Sequence, residues 1–209
     1  MLSTDDESLR RQIRARFDDR SLTVYQAYSP AIADAALAAG RFVPPFRRDR
    51  MTWIKPSFLW MMYRSGWATK PGQERILAIE ITRDGLEWAL GHSSLSHHDP
   101  TVYASHADWA QRRKTTPTRI QWDPERSLLL QPLDQRAIQI GLTGEAARRY
   151  VNDWTVSITD VTGLAQKIHD LVSAGDLQAA GAHLPAECPY PLPDDLKQVI
   201  GATSPRSVT

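Results

Sequence analysis

One cysteine in 209 residues, Cys188, excludes an internal disulfide framework and any site built on several thiolates. The apolar run Phe58–Tyr63 is far shorter than the roughly 20 residues a membrane span requires. The glycines form neither a Walker loop nor a dinucleotide fingerprint, and no Gly-x-Ser-x-Gly elbow offers a hydrolase nucleophile. His92, His97, His98 and His106 contain no i, i+4 pair on a helix beside an acid, so no metal site is expected. The first residues are polar and acidic from Ser3 to Glu7, unlike a secretory leader, and a cytoplasmic protein is the expectation. A net charge of +1 provides no global field toward nucleic acid or membrane.

What the chain does have is concentrated in Met51–Trp67, MTWIKPSFLWMMYRSGW. Trp53, Trp60 and Trp67 stand there with Tyr63, Lys55 and Arg64. Aromatic faces beside cations suit a cleft that stacks a ring and neutralises its phosphates. Between Arg41 and Arg75 there are eight cations against two acids, a surplus of six, so the remainder of the chain carries −5. That asymmetry favours an anionic partner near the aromatic run. The plainer reading is a solvated basic face over a core corner held by cation–π contacts.

The apolar material, 42% of residues, is ample for one core. Thr4-Asp5-Asp6-Glu7 reads as a capping box, and Leu9, Ile13 and Phe17 follow at helical spacing. Leu22–Tyr28 reads as a strand, followed by a helix from Ser29-Pro30 to Gly40. Met51–Lys55 is a possible strand, and Pro56-Ser57 begins a helix that Gly66 stops. Arg75–Thr82 is a strong strand leading into a helix capped by Thr82 or Asp84. After a loop from Gly91 to Pro100 come a helix around Ala104–Lys114, strands Thr118–Trp122 and Arg136–Leu142, and a helix capped by Thr143. Strand Thr155–Thr159 and a helix through Leu171 follow. Irregular interleaving predicts an α+β fold, with a mixed, mostly antiparallel sheet of about six strands flanked by helices. Residues 1–183 form the expected single domain. Prolines from position 185 onward predict an extended tail over 184–209.

Several polar residues stand out against this frame. On a helix, Trp60, Tyr63 and Arg64 lie at i, i+3, i+4 and share a face. Glu80 lies on the face of Ile76 and Ala78 in an apolar strand, where a carboxylate must be paired, solvent-facing or functional. A general base and an outward residue on a half-solvated sheet are both open for it. Gln26 and Gln139 sit within other strands and meet Glu80 only if their strands neighbour one another on a common face. Glu145 is a competing acid, whose plain role is charge in a first helical turn. Ser57 has no histidine partner that would activate it.

The blocks VYQAYSPAIADAALAAGRFVPPF, TWIKPSFLWMMYRSGWATKPGQERILAIEIT, RIQWDPER and RAIQIGLTGEAARRYV resemble a bacterial and fungal family, domain of unknown function 4291, over roughly Asp18 to Thr162. That resemblance implies no particular reaction. A second likeness, at the level of fold, is to ADP-ribosyltransferases. It implies NAD as cofactor and assigns Tyr25 and Gln26 to the nicotinamide, Ser57 or Tyr63 to the middle position, and Glu80 or Glu145 to the acid. Gln26 stands where histidine or arginine is usual. The expected function is a nucleotide- or nucleic-acid-directed enzyme, with Trp53, Trp60 and Tyr63 walling the pocket and Lys55 and Arg64 on phosphate. The alternatives are a non-catalytic binder of RNA or single-stranded nucleic acid on the same surface, and a small-molecule-binding scaffold.

Overall fold

The computed structural model describes residues 11–203. The expected N-terminal capping box lies outside them. The described half of that segment is extended, not helical. Ile13 and Ala15 are buried while Arg14 and Arg16 are exposed, a two-residue alternation that suits a strand. Arg14–Ala15 (β1) pairs antiparallel with Cys188–Pro189 (β9). A pairing partner far along the chain, which local spacing cannot reveal, overrides the helical Leu9-Ile13-Phe17 pattern.

The fold is α+β. Ser21–Tyr28 (β2), Arg75–Thr82 (β4) and Thr155–Asp160 (β8) form an antiparallel sheet in the order β2-β4-β8. Thr52–Ile54 (β3), Ser93–Leu95 (β5), Thr118–Arg126 (β6) and Pro132–Leu142 (β7) form a second sheet in the order β3-β7-β6-β5. Among the described strands only β5, inside the segment read as a loop, runs parallel to its neighbour.

The main core is apolar. Leu22 and Val24 of β2, Leu77, Ile79 and Ile81 of β4, and Ile54, Ile120, Ile138 and Ile140 of the second sheet all belong to it. The helices Pro30–Ala39 (α1) and Arg83–Gly91 (α3) add Ala33, Ala36, Leu86 and Leu90. The alanines of α1 permit close approach, and its end at Gly40 adopts φ 63°, a conformation that glycine takes without steric cost.

A second apolar cluster lies on the other face of β2 and β4, around Tyr25 and Ile76. Phe58–Ser65 (α2) covers it with Phe58, Met61 and Met62. The helices Thr162–Ser173 (α6) and Leu177–Ala182 (α7) complete it. His106–Thr115 (α4) packs against β5, and Gly144–Arg149 (α5) passes directly into a π-helical turn over Tyr150–Trp154.

The proline-rich segment is extended from Leu184 only until Asp194–Ile200, which forms a further helix (α8). Tyr190, Leu192 and Ile200 are buried in the main core. Among the described residues, no helix is long and apolar enough to cross a membrane.

Candidate functional site

The two sheets meet where β2 passes β3. The Tyr25 amide donates to the Lys55 carbonyl at 2.7 Å, and Gln26 spans the junction. Its Nε2 donates to Thr52 Oγ1 at 2.8 Å and to the Trp53 carbonyl at 3.0 Å, while its Oε1 accepts from Tyr150 Oη at 2.7 Å. Gln26 is therefore buried and satisfied, a clamp between sheets. Burial raises the phenols of Tyr28 and Tyr150 well above their ordinary range, which keeps both neutral.

Beyond this clamp the outer face of the second sheet opens into a cleft of about 640 Å3. Trp53, Lys55, Gln121 and Gln139 lie along its floor, and Arg50 and Arg64 stand at its rim. Strand pairing explains the grouping. Trp53 is opposite Gly141 and Gln121 is opposite Gln139, so alternation sends these side chains to the face away from the core. Asp123 orients both amides, accepting from Gln121 Nε2 at 3.0 Å and from Gln139 Nε2.

Lys55 is the centre of the cleft. It is only 5% exposed, and its Nζ lies 5.1 Å above the centroid of the buried Trp60 ring. Burial, reinforced by the nearby Arg64 charge and partly opposed by Asp123, lowers its ammonium to a pKa of about 7. Pro56 and the Tyr25–Lys55 backbone bond fix the chain on either side, so the long side chain is directed rather than free.

The expected site residues divide into three groups. Trp53, Lys55 and Arg64 come together in the cleft, with Gln26 and Gln139. Tyr25 and Glu80 share a separate hollow of about 430 Å3 on the opposite face of β2 and β4. Register explains the separation: Glu80 is opposite Thr23 and Gln26 is opposite Leu77, so the two project to opposite faces. Glu80 accepts from Ser21 Oγ at 2.5 Å and Ser157 Oγ at 3.1 Å. Tyr25 is buried edge-to-face on Phe58.

The remaining residues support or decorate α2 and α5. Ser57 caps α2, accepting from the Trp60 amide at 3.1 Å and donating to Glu125 Oε1 at 2.8 Å. Trp60 backs the cleft from within, and Tyr63 is 41% exposed beneath the Arg126 guanidinium. Trp67 does not continue the Trp60 face, because Gly66 ends the helix in the left-handed region; its ring stacks on His169. Glu145 is exposed and paired with Arg149 at 2.7 Å.

Sequence reasoning passed over Gln121 and Asp123, and reached Arg50 only as one of the eight cations of the basic run. The signal for the first two was the alternation of polar and apolar residues in RIQWD, whose polar face meets Gln139 only once the hairpin register is known.

A family model described as "Domain of unknown function (DUF4291)" matches residues 12–190. No curated protein and no solved structure matches the chain.

Proposed function

Since the chain belongs to the DUF4291 family, whose description names no chemistry, we propose a function from the cleft itself: a nucleotide-directed enzyme that holds a phosphorylated heterocycle over Trp53 and works on it beside Lys55. The observation that carries the reading is that Trp53, Lys55 and Arg64 open into one cavity large enough for a nucleotide. Stacking on an indole contributes about 1–3 kcal/mol per ring, and Arg50 and Arg64 complement phosphate charge at the rim. Lys55, poised near neutrality, is suited to donate or accept a proton or to attack an electrophile.

ADP-ribosyl transfer from NAD is the reaction to assay first within this class. It requires a carboxylate that serves the same cleft as the ring. Glu80 lies across the β2-β4-β8 sheet, Glu145 on the surface, and the described lining of the cleft carries no carboxylate, so in this scheme negative charge reaches the ring only indirectly, from Asp123 behind the Gln121 and Gln139 amides it holds. The second reading, a binder of RNA or single strands, is favoured by the exposed Arg41, Arg48 and Arg50.

Titration with NAD, ADP-ribose, mononucleotides and short oligonucleotides, followed by thermal shift and calorimetry, tests the proposal. Saturable stabilisation by a mononucleotide or dinucleotide is expected, weakened roughly 10- to 100-fold in Arg64→Ala, since a hydrogen bond to a charged group contributes about 1.5–3 kcal/mol. Stabilisation by oligonucleotides alone, steeply lost with salt, replaces the enzyme reading with the binder. Silence toward every phosphorylated ligand refutes both.

A further inference from the structure

Lys55 differs from the other four lysines of the chain. Lys70 Nζ donates to the Tyr63 and Arg64 carbonyls, Lys197 pairs with Asp194 at 2.7 Å, and Lys114 and Lys167 are exposed. Lys55 alone is buried, and among the described residues its amine has no hydrogen bond and no carboxylate within salt-bridge distance. Asp123, the acid that acts on it, is held by Gln121 and Gln139 instead. A buried ammonium with no paired anion is disfavoured, and the free amine is the form such a site stabilises. The amine also faces solvent-sized space, lining the cavity that Arg64 and Arg50 border. The Trp60 face beneath Nζ gives the amine a cation–π contact but no neutralising anion, whereas a structural lysine usually has such an anion or reaches for bulk water.

We propose that Lys55 is a covalent nucleophile, and that it captures the carbonyl carbon of a phosphorylated aldehyde, such as the open-chain form of the base-free terminal ribose of ADP-ribose, as an imine. The inference rests on reading the cleft as a phosphate site. The Nζ lone pair forms the C–N bond, and the carbonyl π pair moves to oxygen, which takes a proton. The carbinolamine then expels that oxygen as water, leaving the protonated imine, so aldehyde plus ammonium give iminium plus water. Trp53 offers a flat face to a ring attached to the carbonyl, and Arg64 stands where a phosphate is neutralised. With the amine titrating near 7, about half of it is free base at neutral pH, against about one part in 10³ for an ordinary lysine.

Pyridoxal 5′-phosphate is the probe, because it carries an aldehyde, a ring and a phosphate and is not a nucleotide. The full chain is incubated with it at pH 7 and treated with borohydride, whose hydride reduces the imine to a stable secondary amine; peptide mapping then locates the label. Expected is labelling at Lys55 about 10-fold or more above Lys70, Lys114, Lys167 and Lys197, with a pH midpoint near 7. Pyridoxal without phosphate is expected to label about 10-fold less. Lys55→Arg and Lys55→Met lose the labelled peptide, and mapping of the unaltered chain decides the matter even where a variant folds poorly. Equal labelling of all five lysines, or a midpoint close to that of a surface lysine, overturns the proposal. Selective labelling without binding of any nucleotide upholds the nucleophile and removes the nucleotide reading. Nucleotide binding with no labelling at Lys55 does the reverse.

Discussion

At position 141 the lack of a side chain lets the Trp53 indole lie against the sheet. A Cβ there would come within 2.7 Å of Met51 Sδ and 3.0 Å of the Trp53 ring. The thioether is flexible, but the indole cannot bend, so an added methyl pushes it off the floor of the cleft. Gly141→Ala is therefore expected to cost about 1–3 kcal/mol in urea unfolding, the usual range for overpacking. It should also weaken ligand binding in the same calorimetric titration that tests Arg64→Ala. If binding is untouched while stability falls, Trp53 is packing and not a platform. In the sequence Gly141 is one letter of a strand, IQIGL, and nothing marks it. Its meaning depends on β3 lying opposite, a pairing between residues about ninety positions apart. Lys55 and Arg64 were legible as a cationic pair in an aromatic run. The role of Gln26 was not, because a glutamine in a strand reads alike whether it meets a ligand or clamps Thr52 and Tyr150.

Helix α2 carries the cleft's rear wall, and its start is held by two carboxylates from elsewhere. Glu187 Oε1 accepts from the Phe58 amide at 2.7 Å, and Glu125 accepts from Ser57. Burial raises both carboxyls, and the Glu125 charge adds to the rise at Glu187, whose pKa is pushed up to about 8 against partial relief from the Phe58 amide and Arg14. A carboxyl that holds its proton in the folded state up to pH 8, but only to about 4.3 when unfolded, makes stability fall as pH rises through that interval. Glu187→Gln keeps an acceptor for the Phe58 amide and removes the titration. Denaturation midpoints of the variant are therefore expected to stay level relative to wild type at pH 5 and to exceed it at pH 8; parallel curves would show that Glu187 titrates alike in the folded and unfolded chain. Elements such as α2, β4 and α3 were readable because their caps and apolar spacing are local, with Thr82, Ser57 and Gly66 in the expected places. The short β1, β5 and β9 were not, since two or three residues become a strand only through a distant neighbour.

On the scale of the whole molecule, the two ends of the described residues, around 11–15 and 188–203, are tied together. β1 pairs with β9, the Tyr190 amide donates to the Ile13 carbonyl at 2.8 Å, and the Thr203 amide donates to the Arg11 carbonyl at 2.9 Å. Tyr190 Oη donates to Glu87 Oε1 at 2.7 Å and accepts from Arg83 Nε at 2.9 Å, which joins the segment to α3. The Ile200 carbonyl accepts from Trp122 Nε1 at 2.8 Å and joins it to β6. Proline content predicted an arm because proline denies helix and central strand, yet it says nothing against burial of the residues between prolines. Tyr190 and Leu192 alternate with Pro189, Pro191 and Pro193, and the apolar members turn inward. Removing residues 185–209 deletes three buried side chains, Tyr190, Leu192 and Ile200, each contributing about 1.5–3 kcal/mol. Together that is about 4.5–9 kcal/mol, a large share of a total stability of about 5–15 kcal/mol. The truncated chain is expected to lose its cooperative unfolding transition by circular dichroism, whereas Tyr190→Phe, which removes only the hydroxyl's bonds, should lower the midpoint without abolishing it. A truncated protein that melts at the wild-type temperature would make the segment an appendage after all, and would free the α2 start from any dependence on Glu187.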